Sequence, residues 1–269
     1  MKRIVILLVL SLVLLAGSLS LFAYDSSPAY VQIIPEAIYA PATGGGTWST
    51  EVQIYARTAV NPVDIYVWFF YGGGSRRGPF TITGLTVQHM TRYTNILATI
   101  DALDSGAFTY YGRVGTVWFQ TINTSNKILV QAKTVHSGGY GKTMNALYYD
   151  SPESTAIFSP WRGMMIQGIG KNDTFRSTCG FFNVMSASVT VRIALIYYTD
   201  VWLGYEDITL AGGEFLAFDP FVRFGVSGTY SSCRIWVAPM AGSGRVMAFG
   251  ATANNTTNDP SAHIAVQYD

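Results

Sequence analysis

The chain has 269 residues, with 17 Lys and Arg against 16 Asp and Glu; 12% of residues are charged, 49% hydrophobic and 14% aromatic. That balance excludes a disordered chain, a polybasic nucleic-acid binder and a cationic membrane-surface protein, and it demands a buried core. Lys2 and Arg3 belong to the leader described next, so the rest of the chain carries 15 basic against 16 acidic residues and is near neutral.

Met1 to Arg3 form a positive start, Ile4 to Leu15 an unbroken apolar run, and Ala16 to Ala23 a stretch of small residues. Together they read as a secretory signal peptide over residues 1–23, which predicts export to the cell surface or the medium. The apolar run is shorter than the roughly 20 residues of a spanning helix, no Cys follows it, and no later segment nears 18 continuous apolar residues. No membrane span is expected once the leader is cut.

From Tyr24 onward the sequence repeats itself. Thr47 to Ala56 (TWSTEVQIYA) lines up with Thr174 to Asn183 (TFRSTCGFFN), and Val63 to Phe70 (VDIYVWFF) with Val189 to Tyr198 (VTVRIALIYY). Thr116 to Gln120 then matches Arg234 to Ala238, and Ile128 to Ser137 matches Val246 to Asn255. Each copy closes on Tyr-Asp, at Tyr149-Asp150 and Tyr268-Asp269. The reading is a tandem duplication, 24–150 and 151–269, with its boundary near Asp150 to Glu153 where Ser-Pro breaks the pattern.

Alternating runs separated by Gly, Asn, Ser and Pro clusters predict strands, and no long run has the helical period. The expected fold is all-β: two tandem antiparallel β-sandwich domains of immunoglobulin-like or jelly-roll-like type, with one continuous sandwich as the alternative. Asn95 to Leu103 and Asp219 to Phe224 are expected to be short connections rather than packed helices, the second because it contains Pro220.

The Pro-containing strand Ile33-Ile34-Pro35, the aromatic-Ser-Thr-acid-apolar strand Trp48 to Ile54, a β-branched strand, a Gly-rich turn and a last strand running into a Ser/Asn turn form a recurring pattern. It resembles a broad group of uncharacterised exported bacterial proteins built from paired β-sandwich repeats. The resemblance implies a β-sandwich and an extracellular location, and carries over no catalytic residue.

Few residues suggest chemistry. His89, His136 and His263 are not repeat-equivalent and lack HxH or HxxxH spacing. The acid pairs Asp101 with Asp104, Asp150 with Glu153, and Glu206 with Asp207, and the turn Asn254 to Asp259, offer oxygen ligands of the kind calcium takes, but none has the EF-hand spacing; capping of turns is the better account. Gly72 to Gly78 (GGGSRRG) lacks the phosphate-loop pattern and reads as a mobile hairpin loop whose Arg76 and Arg77 are solvated or meet an acidic polymer. No catalytic residue, cofactor or metal is expected, and the protein reads as a non-enzyme.

Aromatic residues stand out instead. With Val63, Ile65, Val67 and Phe69 in the core, Tyr66, Trp68 and Phe70 line the other face of their strand. Three readings compete: cover by the second half or a loop, contact with another copy, or a stacking platform for sugar rings. Trp161 and Trp202, in SPWRG and DVWLG, are further sugar platforms, while Trp118 and Trp236 match in the repeat and are assigned to shared sandwich packing.

Strand-like ends containing Tyr30, Val31 and Ile33, and Ile264 and Val266, either close their own sheets or complete a neighbour's by strand addition. Cys179 and Cys233 are a candidate disulfide in an oxidising compartment, or two separate buried thiols. The function expected is that of an exported structural or adhesive subunit of a cell-surface assembly, filament or matrix, with a carbohydrate-binding module as the alternative; partners are further copies, other surface proteins or a polysaccharide.

Overall fold

The computed structural model describes residues 28–42, 45–57, 62–148, 163–256 and 260–267. The leader, the repeat boundary and Trp161 lie outside these residues. The fold is an all-β sandwich arrangement of antiparallel sheets.

The first half contributes β1 (Val31–Pro41), β2 (Thr47–Ala56), β3 (Val63–Tyr71), β4 (Ser75–Leu85), β5 (Met90–Tyr93), α1 (Ile96–Leu103), β6 (Arg113–Thr121), β7 (Ile128–His136), β8 (Gly141–Asn145) and β9 (Leu147–Tyr148). The second contributes β10 (Met164–Lys171), β11 (Phe175–Asn183), β12 (Val189–Tyr197), β13 (Trp202–Leu210), β14 (Phe215–Phe218), α2 (Pro220–Arg223), β15 (Tyr230–Gly242), β16 (Val246–Asn254), β17 (Pro260–Ile264) and β18 (Val266–Gln267).

Strand order is the same in both halves. One layer runs β4-β3-β6-β1 with β9 beyond β1, matched by β13-β12-β15-β10-β18. The other runs β5-β2-β7-β8, matched by β14-β11-β16-β17. In the first half β1 joins the two layers: Val31 to Ile34 and Ala37 to Tyr39 pair with β6, and Tyr39 to Pro41 pair with β2. The β6 pairing is broken by a bulge from Ile34 to Ala37, at Pro35, which has no N–H to give to a ladder. Thr116 Oγ1 donates to the Pro35 carbonyl at 2.9 Å, so the group freed by the bulge is satisfied. Strand β10 breaks register at the corresponding place, between Ile166 and Ile169.

The period of two builds the cores. Val63, Ile65, Val67 and Phe69 point from β3 into one cluster with Val52, Ile54, Val117 and Phe119. Val189, Val191, Ile193 and Leu195 do the same from β12 with Ile235, Val237 and Phe181. Both predicted connections are helices that pack, correcting the expectation. Asn95 Oδ1 accepts from the Ala98 amide at 3.2 Å, and α1 buries Ile96, Leu97 and Ile100. In α2, Pro220 stands in the first turn, where a missing N–H costs no bond; Asp219 caps Phe221 and Val222, and Phe221 is buried.

A third apolar cluster lies between the halves. Val31, Ile33 and Phe70 meet Phe182, Phe215, Met247 and Phe249, with Trp68 and Trp118 packed against them. The ring centroids of Phe70 and Phe182 are 5.0 Å apart. A Cβ on Gly180 would fall 2.1 Å from the Phe249 ring, so only glycine lets that ring lie on β11. The outer face of the β3-β6-β1 layer is thus covered by the β11-β16 layer of the second half.

One expectation is corrected here, and two open alternatives take the form of free thiols and of strands that close their own sheets. Trp118 and Trp236 do not pack inside the sandwiches; their neighbours Val117, Phe119, Ile235 and Val237 do, and the period of two turns both indoles outward. Cys179 and Cys233 are free buried thiols, on β11 and β15 in opposite layers of one core, and Cys179 Sγ donates to the Phe218 carbonyl at 3.5 Å. The segment of Tyr30, Val31 and Ile33 is no loose edge, because β1 is flanked by β6 and β9 and both Val31 and Ile33 are buried. Ile264 and Val266 sit on β17 and β18, which pair with β16 and β10.

Two measurements probe this packing. Phe182→Ala is expected to lower the free energy of unfolding in urea by about 3 to 5 kcal/mol, since it empties the contact between halves. Burial pushes the Cys233 thiol up to about 11 and Cys179 well above its ordinary value. Labelling with a thiol-specific dye at pH 8 is therefore expected to run at least about tenfold slower in the native protein than in urea.

Candidate functional site

The contact between halves is not closed throughout. At one end it opens into a cleft of about 440 Å³ lined by Trp68, Phe70, Arg76, Trp118 and Gln120 on one side, and by the Val184 to Ser186 loop and Gly212-Gly213 on the other. Register sets the first wall: Trp68 lies opposite Trp118 on β3 and β6, Tyr66 opposite Gln120, and Phe70 opposite Arg76 on β4. Tyr66 meets the edge of Trp68 at 5.7 Å between centroids. Of the predicted trio, Phe70 is buried against the second half and Trp68 and Tyr66 are half-buried.

Asn183 builds the second wall. Fully buried, its Nδ2 donates to the carbonyls of Ala187, at 2.7 Å, Leu210 and Ala211, and its Oδ1 accepts from the amides of Met185 and Arg245. One side chain thereby ties the loop after β11 to the turn between β13 and β14. Gly213 in that turn has φ +71, and a Cβ there would come within 3.2 Å of Phe70. The hairpin loop Gly72 to Gly74 is held as well, by a bridge from Gly72 to Phe215.

The period of two separates the two loop arginines. Arg77 Nε donates to Asp104 Oδ2 at 2.9 Å, its other nitrogen reaches Asp104 Oδ1, and the Tyr110 hydroxyl donates to the same carboxylate at 2.9 Å. The guanidinium holds the Asp104 carboxyl below its ordinary range, while burial pushes the Tyr110 phenol up. Arg76, one residue earlier, is exposed at the cleft, and no acidic residue lines it there.

The repeat-equivalent face of the second half, on β12, β13 and β15, is open. Trp202 is 49% and Tyr205 59% exposed, and both stand over buried Ala194 and Ile196. Trp202 begins β13, so it is not the loop residue its neighbours suggest. Its ring meets Tyr205 at 80° and Trp236 at 58°, so the three form a clump and not a flat platform. Ion pairs frame them: Arg192 grips Asp207 through two bonds of 2.7 and 2.9 Å and lies over Tyr205, and Arg234 pairs with Asp200; Glu206, held by Arg223, points to the other side of β13. The guanidiniums of Arg192 and Arg223 hold Asp207 and Glu206 below the usual carboxylate range. Sequence reading missed this clump because its rings come from β13 and β15, not from the strand that repeats β3.

A second gap of about 270 Å³ between the halves is lined by Trp48, Phe249, Arg176 and the ion pair of Lys142 with Glu36. His263 on β17 lies with its ring over Gly168, and its Nε2 is buried without a partner. His136 is engaged otherwise: Nδ1 accepts from Gly138, Nε2 faces the Gly45 carbonyl at 3.0 Å, and the ring stacks on Tyr140. Among the described residues, no three His, Cys, Asp or Glu side chains gather where they could hold a metal ion, and no helix is long and apolar enough to cross a membrane.

No protein-family profile matches the chain, and no curated protein matches it. Among solved structures it is similar to the VP2 subviral particle of infectious bursal disease virus, at 11% identity and a TM-score of 0.20, over 90% of this chain and 72% of that one. It is also similar to the Pleurotus ostreatus lectin, at 14% identity and a TM-score of 0.14, over 90% and 83%. Likenesses this distant carry no argument about function.

Burial first, and then the Lys142 ammonium, hold the His263 imidazole below its ordinary value. The unfolded chain then takes up this proton before the folded one does. Stability is therefore expected to fall as pH drops from about 6.5 toward 5, and His263→Gln to flatten that slope, as followed by urea midpoints across the range.

Proposed function

We propose that the protein is an exported, non-catalytic structural and adhesive subunit, and that the open aromatic face of the second half is where one copy meets another. The observation that carries this reading is internal to the fold. The same face of the first half is apolar and is covered by a β-sheet, whereas in the second half Trp202 and Tyr205 stand uncovered with half-buried Trp236 beside them. Exposed apolar clusters of this kind are ordinarily interfaces.

Charge favours a second copy as the occupant. Arg192 and Arg234 are balanced on the face by Asp207 and Asp200, so it carries no excess charge that would repel a second copy brought against it across a two-fold axis. The splayed rings suit interdigitation with another such clump better than the flat stacking of a polysaccharide surface. Contact by faces also leaves β1 in place, which strand addition would not: its removal from between β6 and β9 opens a core.

Sedimentation velocity of residues 24–269 over a concentration series is the test. The wild-type chain is expected to shift from monomer to dimer, and the double variant Trp202→Ser with Tyr205→Ser to remain monomeric with an unchanged melting temperature. A wild-type chain that stays monomeric at every concentration, or a variant that dimerises equally well, overturns the reading.

A further inference from the structure

We infer that the cleft between the halves binds a saccharide whose ring carries a carboxylate. This inference does not depend on self-association. It starts from three features of the cleft walls. First, the cleft, at about 440 Å³, has the volume of a small-ligand site and two half-buried indoles, Trp68 and Trp118, in one wall. Indole faces are apolar and electron-rich, and the C–H-bearing faces of a pyranose ring stack on them.

Second, polar groups converge there. The Gln120 side chain offers a donor and an acceptor to hydroxyl groups, and the wall built from Ser186, Gly212 and Gly213 brings backbone close on the other side. Third, the cation is present and uncommitted. Arg77 has Asp104, and Arg192, Arg223 and Arg234 each have a carboxylate, whereas no acid lines the cleft beside Arg76. A guanidinium fork matches a carboxylate through two parallel bonds.

The repeat sharpens the point. Arg76 lies opposite Phe70 on β3, and Trp202 lies opposite Ile196 on β12, so the two are the same place in the duplicated fold. Where that place is open the chain has an indole, and where it rims a cleft the chain has a guanidinium. A neutral sugar would give Arg76 no partner, and a bare carboxylate or phosphate would leave the indoles unused. A sugar acid uses both.

The test uses trigalacturonate, with maltotriose as the neutral control, titrated into the Trp202→Ser, Tyr205→Ser chain so that dimerisation plays no part. Calorimetry is expected to show saturable binding of trigalacturonate, weakened by raised salt, and at least about tenfold weaker binding with Arg76→Gln or Gln120→Ala at unchanged melting temperature. Indole N–H resonances of Trp68 and Trp118 are expected to shift on titration while that of Trp236 does not. No saturable binding, equal affinity for maltotriose, indifference to Arg76→Gln, or shifts confined to Trp236 would each overturn the inference.

Discussion

The layer β4-β3-β6-β1 is apolar on both faces, and the rest of the molecule follows from having to cover the second one. Inward, Val63, Ile65, Val67 and Phe69 fill the first core; outward, Val31, Ile33, Phe70 and the indoles of Trp68 and Trp118 would meet water if the first half stood alone. The layer β14-β11-β16-β17 has the same problem, with Phe181 and Ala248 inward and Phe182, Phe215, Met247 and Phe249 outward. Laid together, the two layers solve each other's exposure, and burial of several aromatic side chains is among the larger favourable terms available to a fold of this size.

The halves are alike in strand order, and positions that differ between them include those that stand in different surroundings. Gln53, Tyr55 and Gln131 in the first half stand where Gly180, Phe182 and Phe249 stand in the second. The former lie on an outer face with the Arg92 to Glu51 ion pair and Lys133, and the latter are covered. Asn183 stands where the first half has Ala56. Its five hydrogen bonds fix the turns that wall the cleft, a task Ala56 could not perform.

Much of this was legible in the sequence, because strand period and repetition are local signals. The alternation of β3 and β12, the matched pairs of strands and the aromatic anomaly at Tyr66, Trp68 and Phe70 all appear in the structure where the pattern put them. What was not legible depends on partners far along the chain. The clump of Trp202, Tyr205 and Trp236 assembles from two strands that meet only in the sheet. Arg76 and Arg77 look equivalent in a glycine-rich run, and only the pleat sends one to Asp104 and the other to the cleft. Pro220 read as a helix breaker because its position in the first turn, after the Asp219 cap, was not resolved from composition.

The two outermost layers of the stack differ in the share of aromatic surface they expose. One ends in Glu51, Gln53, Arg92, Gln131 and Lys133, the other in Trp202, Tyr205 and Trp236 with the Arg192 to Asp207 pair at their side. A body wet on one broad side and greasy on the other has a direction, as a floor tile does. Contact made through the aromatic side removes more apolar area from water than contact made through the charged one, so any apolar boundary would tell the two sides apart.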